Sequence, residues 1–147
     1  MPILNYTTKI DAVKTVGQIQ EILGRKGATH VSVDYADGKA SAVTFGLNLE
    51  GMPINFRLPC NIDGVSVALR REKKLTVARD RLQCERIAWR IVKDWVEAQM
   101  ALVEAGQAEV SEVFMPYAIH SSGQTLFQAM KNRQFALTAG EQFQSLE

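Results

Sequence analysis

Between Arg70 and Lys93 the chain carries nine basic side chains, Arg70, Arg71, Lys73, Lys74, Arg79, Arg81, Arg86, Arg90 and Lys93, against Glu72, Asp80 and Glu85. Arg79, Arg86, Arg90 and Lys93 recur at helical spacing and so share one strip of a helix. A guanidinium group grips phosphate through paired N–H donors, and Trp89 or Tyr35 offers an aromatic face for a nucleobase. Arg57, in the alternating segment INFRL, projects to the side opposite Ile54, Phe56 and Leu58. Arg57, Arg79, Arg86, Arg90, Lys93 and Trp89 are therefore candidate ligand-binding residues for nucleic acid or a nucleotide. The competing account is a solvated face paired to Glu85, Asp94 and Glu97 at helical spacings.

Other chemistry is sparsely represented. No GxGxxG, GxxxxGK[ST], HExxH or GxSxG is present, so no motif calls for a cofactor or a metal. His30 and His120 lack metal-like spacing to a cysteine or carboxylate. Cys60 and Cys84 read as small buried hydrophobes. Asp37 belongs to a turn, and nothing demands a second role for Asp34. An enzyme would need His120, Asp34 and an arginine to converge in a pocket.

The whole chain of 147 residues has a formal net charge of only +1, which argues against indiscriminate duplex binding as its main business. The sum hides a polarity. Residues 70–93 carry +6, whereas residues 94–147 hold two basic and seven acidic residues, a balance of −5. Such a dipole steers either an anionic ligand or a second copy of the chain. The N-terminus has neither the basic nor the apolar region of a secretion signal, and no apolar run approaches the ~18 residues that span a bilayer. Those features predict a cytoplasmic protein with no membrane partner.

The elements that would position these groups are legible as periodicities. Apolar residues at Ile10, Val13, Val16, Ile19, Ile22 and Leu23 predict a helix from Thr8 to Gly24, capped by Thr7 or Thr8. Segments 30–35, 41–50 and 54–58 alternate, and the Asp37-Gly38 and Gly51-Met52-Pro53 turns make them an antiparallel three-stranded meander. Asn61 or Asp63 can cap a short helix carrying Val65, Val67 and Leu69. Thr76 then opens a helix running unbroken to Gly106. Ser111 opens a short helix broken near Pro116, and 125–135 forms a last one. The predicted fold is α+β in a single domain, 1–147: helix plus meander (1–59), a helical half (60–135) organised by the long helix, and a polar tail (136–147).

The long helix has two apolar stripes. Val77, Cys84, Ala88, Ile91, Trp95 and Leu102 form a core face toward the sheet. Leu82, Trp89, Val96 and Val103, with Met100 beside them, form a second. Something must cover the second stripe: the C-terminal segment (Val110, Val113, Phe114, Tyr117, Leu126, Phe127) or the same helix of another subunit. A homo-oligomer is therefore expected.

INFRLP (54–59), AWRIVKDWVEAQMALVEAG (88–106) and FMPY (114–117), with the basic junction between them, resemble uncharacterised small proteins encoded by phages and prophages. The likeness covers about two-thirds of the chain. It implies an accessory protein of the bacterial cytoplasm and assigns no activity or site. The expected function is non-enzymatic: a self-associating protein binding nucleic acid or a nucleotide through the arginine strip. The alternative is an interaction module that inhibits or adapts a host or phage protein through the Leu82/Trp89/Val96 seam.

Overall fold

A computed structural model describes residues 2–134. Helix α1 spans Ala12–Arg25, and its Val16, Ile19 and Leu23 are buried. It starts later than Thr8: Asp11, extended at ψ 146°, takes the N-cap position, while the Thr8 hydroxyl accepts the Ile10 N–H in the preceding turn at 3.2 Å. Strands β1 (His30–Ala36), β2 (Lys39–Leu49) and β3 (Met52–Pro59) form an antiparallel sheet in the order β1-β2-β3. Asp37 and Gly38 both hold positive φ (52° and 77°), the backbone that a two-residue hairpin needs. The register sets Val33 opposite Val43, Phe45 opposite Phe56 and Val43 opposite Leu58. One apolar face results, and the meander expected from the alternation is present.

Helix α2 (Ile62–Arg71) is capped as anticipated, with the Asn61 side chain accepting the Gly64 N–H at 2.9 Å. The unbroken spine from Thr76 to Gly106 is not. The segment divides into α3 (Leu75–Arg79) and α4 (Arg81–Glu104). Asp80 takes ψ 95°, and its carboxylate accepts the Gln83 N–H at 3.1 Å. The side chain thus supplies what the helix loses by stopping, a partner for one orphan N–H of the next helix. Lys74, not Thr76, precedes α3 as its N-cap.

The two stripes of α4 exchange roles relative to the expectation. Trp89, Val96 and Met100 join the main core with Val16, Ile19 and Leu23 of α1 and Phe45 and Phe56 of the sheet. Cys84, Ile87 and Ala88 pack instead with Val65 and Leu69 of α2 and Ala78 of α3. Most of the second stripe is therefore covered by this chain's own sheet and first helix. Trp89 and Val96 form no subunit seam, and only Leu82 at the helix start stays open, 55% exposed.

After α4, helix α5 (Val110–Phe114) is capped reciprocally by Glu109 and Glu112. A 3₁₀ turn at Met115–Tyr117 follows. Phe114 is buried, edge-on to Phe45 and Trp95. Ala118 bridges to Phe56 and covers part of the β3 edge. Helix α6 (Leu126–Asn132) has a Thr125/Gln128 capping box. The expected tail, 136–147, lies outside the described residues. Among those described, no helix is long and apolar enough to cross a membrane.

Candidate functional site

The six residues singled out in the sequence do not assemble into one surface. Arg86, Arg90 and Lys93 face α1. Arg86 bridges to Asp11 at 3.1 Å and donates to the Gln83 side-chain carbonyl at 3.2 Å. Arg90 donates to Gln18 and to the fully buried Thr15 hydroxyl. Lys93 pairs with Glu97 four residues on. These cations seal the α1–α4 seam with partners that an incoming phosphate would have to displace. Arg57 stands on the outer face of the sheet and donates to the Gly123 carbonyl at 3.2 Å. Trp89 is 1% exposed, so in this fold it cannot stack on a base. Arg79 alone remains both exposed and unpaired.

Arg79 has company at the corner where α2 meets α3. Val65 and Leu69 turn inward, and the Ser66 hydroxyl donates to the Ala78 carbonyl at 2.8 Å, fixing α3 against α2. That leaves Arg70 and Arg71 on the outer side of the last turn of α2, where a cation also suits the helix dipole. Lys73 turns the chain at φ 61°. Arg70, Arg71, Lys73 and Arg79 are exposed, and their side chains make no hydrogen bond or ion pair among the described residues. The carboxylates around them are all engaged. Asp63 pairs with Arg81, a Glu72 oxygen accepts the Ile3 N–H at 2.6 Å, and Asp80 caps α4. Each of these carboxylates has a partner of its own, Asp63 and Asp80 at the surface and Glu72 half-buried, and four positive charges point to water. Val67 on α2, Leu75 on α3 and Leu82 at the start of α4 are 44–55% exposed. Counting charge along the chain located this excess, but the choice of helical strip passed over Arg70, Arg71 and Lys73.

The cavities offer less to an anion. The α1–α4 groove, about 450 Å³, is lined by Arg25, Lys26 and Lys93 but equally by Glu21, Glu97 and Glu104. They pair as Arg25–Glu21, Lys26–Glu104 and Lys93–Glu97, so the groove carries no net charge. A smaller cleft of about 280 Å³ lies between α1 and β1, with Trp89 and Glu85 in its lining. Glu85 is buried, and the Lys39 ammonium, 2.7 Å away, is its ion-pair partner. Burial first, and then the Glu85 charge, push the Cys60 thiol up from its ordinary 9.0 to about 12, which leaves it un-ionised near neutral pH.

His120, Asp34 and Arg57 do not converge in a cavity. Asp34 accepts from the Thr44 hydroxyl at 3.1 Å, Arg57 sits across the register from Thr44, and His120 bonds locally to Ser122 at 3.0 Å. Among the described residues no hydrogen bond joins the three. Compared with protein-family models, curated proteins and solved structures, the chain finds no match.

Proposed function

We propose that this chain is a non-enzymatic binding protein for an extended polyanion, in the first place the phosphate backbone of nucleic acid, held at the α2–α3 corner. The observation that carries the proposal is the asymmetry of pairing: Arg70, Arg71, Lys73 and Arg79 are free, while Asp63, Glu72 and Asp80 are engaged. A mononucleotide would need a concave site that buries most of its surface. None of the cavities between α1 and α4, between α1 and β1, or beside Cys60 is lined by these four residues. An outward corner suits a strand that runs across it. Of the arginine strip this reading keeps Arg79 and joins it to Arg70, Arg71 and Lys73, in keeping with the accessory role that the phage resemblance implies.

Four contacts to duplex phosphates give a slope of log affinity against log salt of about −3.6, so a fourfold rise in salt weakens binding about 150-fold. Fluorescence anisotropy with labelled single strands and duplexes reads this directly. Arg71→Ala with Lys73→Ala halves the slope, whereas Arg86→Ala leaves it unchanged because Arg86 belongs to the α1–α4 seam. If neither nucleic acid binds at low salt, or if the corner and seam variants lose affinity alike, the proposal fails.

The exposed Val67, Leu75 and Leu82 among these cations favour a second reading, an acidic, partly apolar segment of a host or phage protein. There Leu75→Ser and Leu82→Ser would abolish capture of such a segment and leave the salt slope for oligonucleotides intact.

A further inference from the structure

The outer edge of β1 has no strand beside it among the described residues, and two features along that edge are unexplained by a lone chain. One is the side of α1 that overhangs it. On a helical wheel Val13, Gly17, Gln20 and Gly24 fall within about 60° of one another, opposite the Thr15, Gln18 and Ile22 side turned to α4. Val13 is 86% exposed. A Cβ built on Gly17 or Gly24 would meet nothing within 4 Å. Glycine is the weakest helix former after proline, and here nothing in the chain's own packing requires it. The other is Tyr35, 68% exposed, which lines the cleft under that helix with Val33, Val13 and Gln20.

We propose that the β1 edge pairs antiparallel with the β1 edge of a second copy, in the register centred on Ser32, with the Val13/Gly17/Gln20/Gly24 sides of the two α1 helices packed against each other. The sequence HVSVD (30–34) is self-complementary in that register. Val31 meets Val33 of the other copy on the inner face, Ser32 meets Ser32, and His30 meets Asp34 on the outer face, an imidazole opposite a carboxylate at both ends. No like charges oppose each other. Asp34 gives one oxygen to Thr44 and keeps the other. The exposed His30 ring, which lies over Gly46, has to swing to the edge.

The distances agree. Helix α1 packs on both β1 and β2, so a two-fold axis beside β1 sets the two α1 axes about two strand spacings apart, about 10 Å. Helices in contact lie about 8–10 Å apart, and glycine permits the lower end of that range. The result is a six-stranded sheet with no exposed β1 edge, which removes the aggregation hazard of a bare strand.

The test is sedimentation equilibrium on the full chain over a wide concentration range. Wild type is expected at twice the chain mass. Gly17→Glu, free of clash in the monomer and a better helix former, is expected to keep or raise helicity by circular dichroism and to abolish the dimer. His30→Asp, which sets carboxylates opposite each other at both ends, weakens the dimer about tenfold or more, and adding Asp34→Lys restores it. A strict monomer at the highest concentration overturns the proposal. So does a dimer indifferent to both Gly17→Glu and His30→Asp, and one that responds to Gly17→Glu alone refutes the register.

Discussion

The pair formed by Lys39 and Glu85 ties the β1–β2 turn to the second turn of α4, and its energetics follow from unequal burial. The Glu85 side chain is 10% exposed and that of Lys39 is 51% exposed. The Glu85 oxygen 2.7 Å from the ammonium has no well-aligned hydrogen bond, so the ion pair is its sole compensation. Removing one member of a fully buried pair costs about 3–5 kcal/mol, because the remaining charge stays desolvated. Lys39 is half in water, and water can take part of its place, which brings the expected cost of Lys39→Met down to about 2 kcal/mol.

For 147 residues the unfolding entropy is about 0.3 kcal/mol per kelvin, so that loss lowers Tm by about 6 °C. Glu85→Met removes the desolvated charge at similar volume and is expected to be neutral or stabilising. In the Glu85→Met background Lys39→Met then costs close to nothing, giving a coupling energy of about 2 kcal/mol by double-mutant cycle. Urea unfolding with a constant m-value is the assay. Were Lys39→Met to cost the same in both backgrounds, the ion pair would not be what holds the turn to the helix.

Trp89→Ala opens a cavity in the main core and is expected to destabilise by about 3–5 kcal/mol in urea melts, with anisotropy in the surviving folded fraction unchanged. Cys60 is expected to resist iodoacetamide in the folded chain at pH 8 and to react in urea. Its folded pKa of about 12 lies above the unfolded value near 9, so its contribution to stability is complete below pH 9 and is lost as pH rises toward 12, which alkaline unfolding curves will read. Because the Glu85 charge is the second cause of that shift, Glu85→Gln lowers the Cys60 pKa and speeds its alkylation at pH 9.

The meander was legible because alternation of period two and an Asp-Gly turn leave few other arrangements. The start of α1 was not, since Thr8 and Asp11 can both cap and only the Ile10 N–H on the Thr8 hydroxyl decides between them. Periodicity also revealed both apolar stripes of α4, yet it carries no information about which neighbour each one meets. The arginine strip fails to be a site for the same reason. The groups that occupy Arg86 and Arg90 are Asp11, Thr15 and Gln18, 72 to 75 residues earlier in the chain. Helical spacing placed Arg86, Arg90 and Lys93 on one face correctly, Arg79 excepted, but could not show that α1 already covers it.

Asp80 decides where the charge goes. In an unbroken helix Arg79, seven residues before Arg86, would lie on the Arg86/Arg90 strip and turn toward α1. The break at Asp80 lets α3 fold back on α2, where Ala78 packs with Val65 and Leu69, and so delivers Arg79 to the corner. No proline or glycine marks the break, because the Asp80 side chain makes it affordable by capping α4. Asp80→Asn keeps an acceptor for the Gln83 N–H, whereas Asp80→Ala does not, and both remove the same charge. The difference between the two variants therefore isolates the cap. Asp80→Ala is expected to be about 1 kcal/mol less stable than Asp80→Asn. If α3 then runs on into α4, Arg79 leaves the corner and the salt slope of oligonucleotide binding falls by about 0.9, one phosphate contact. Equal stability and equal slopes in the two variants would mean that packing on α2, rather than the Asp80 cap, sets the break.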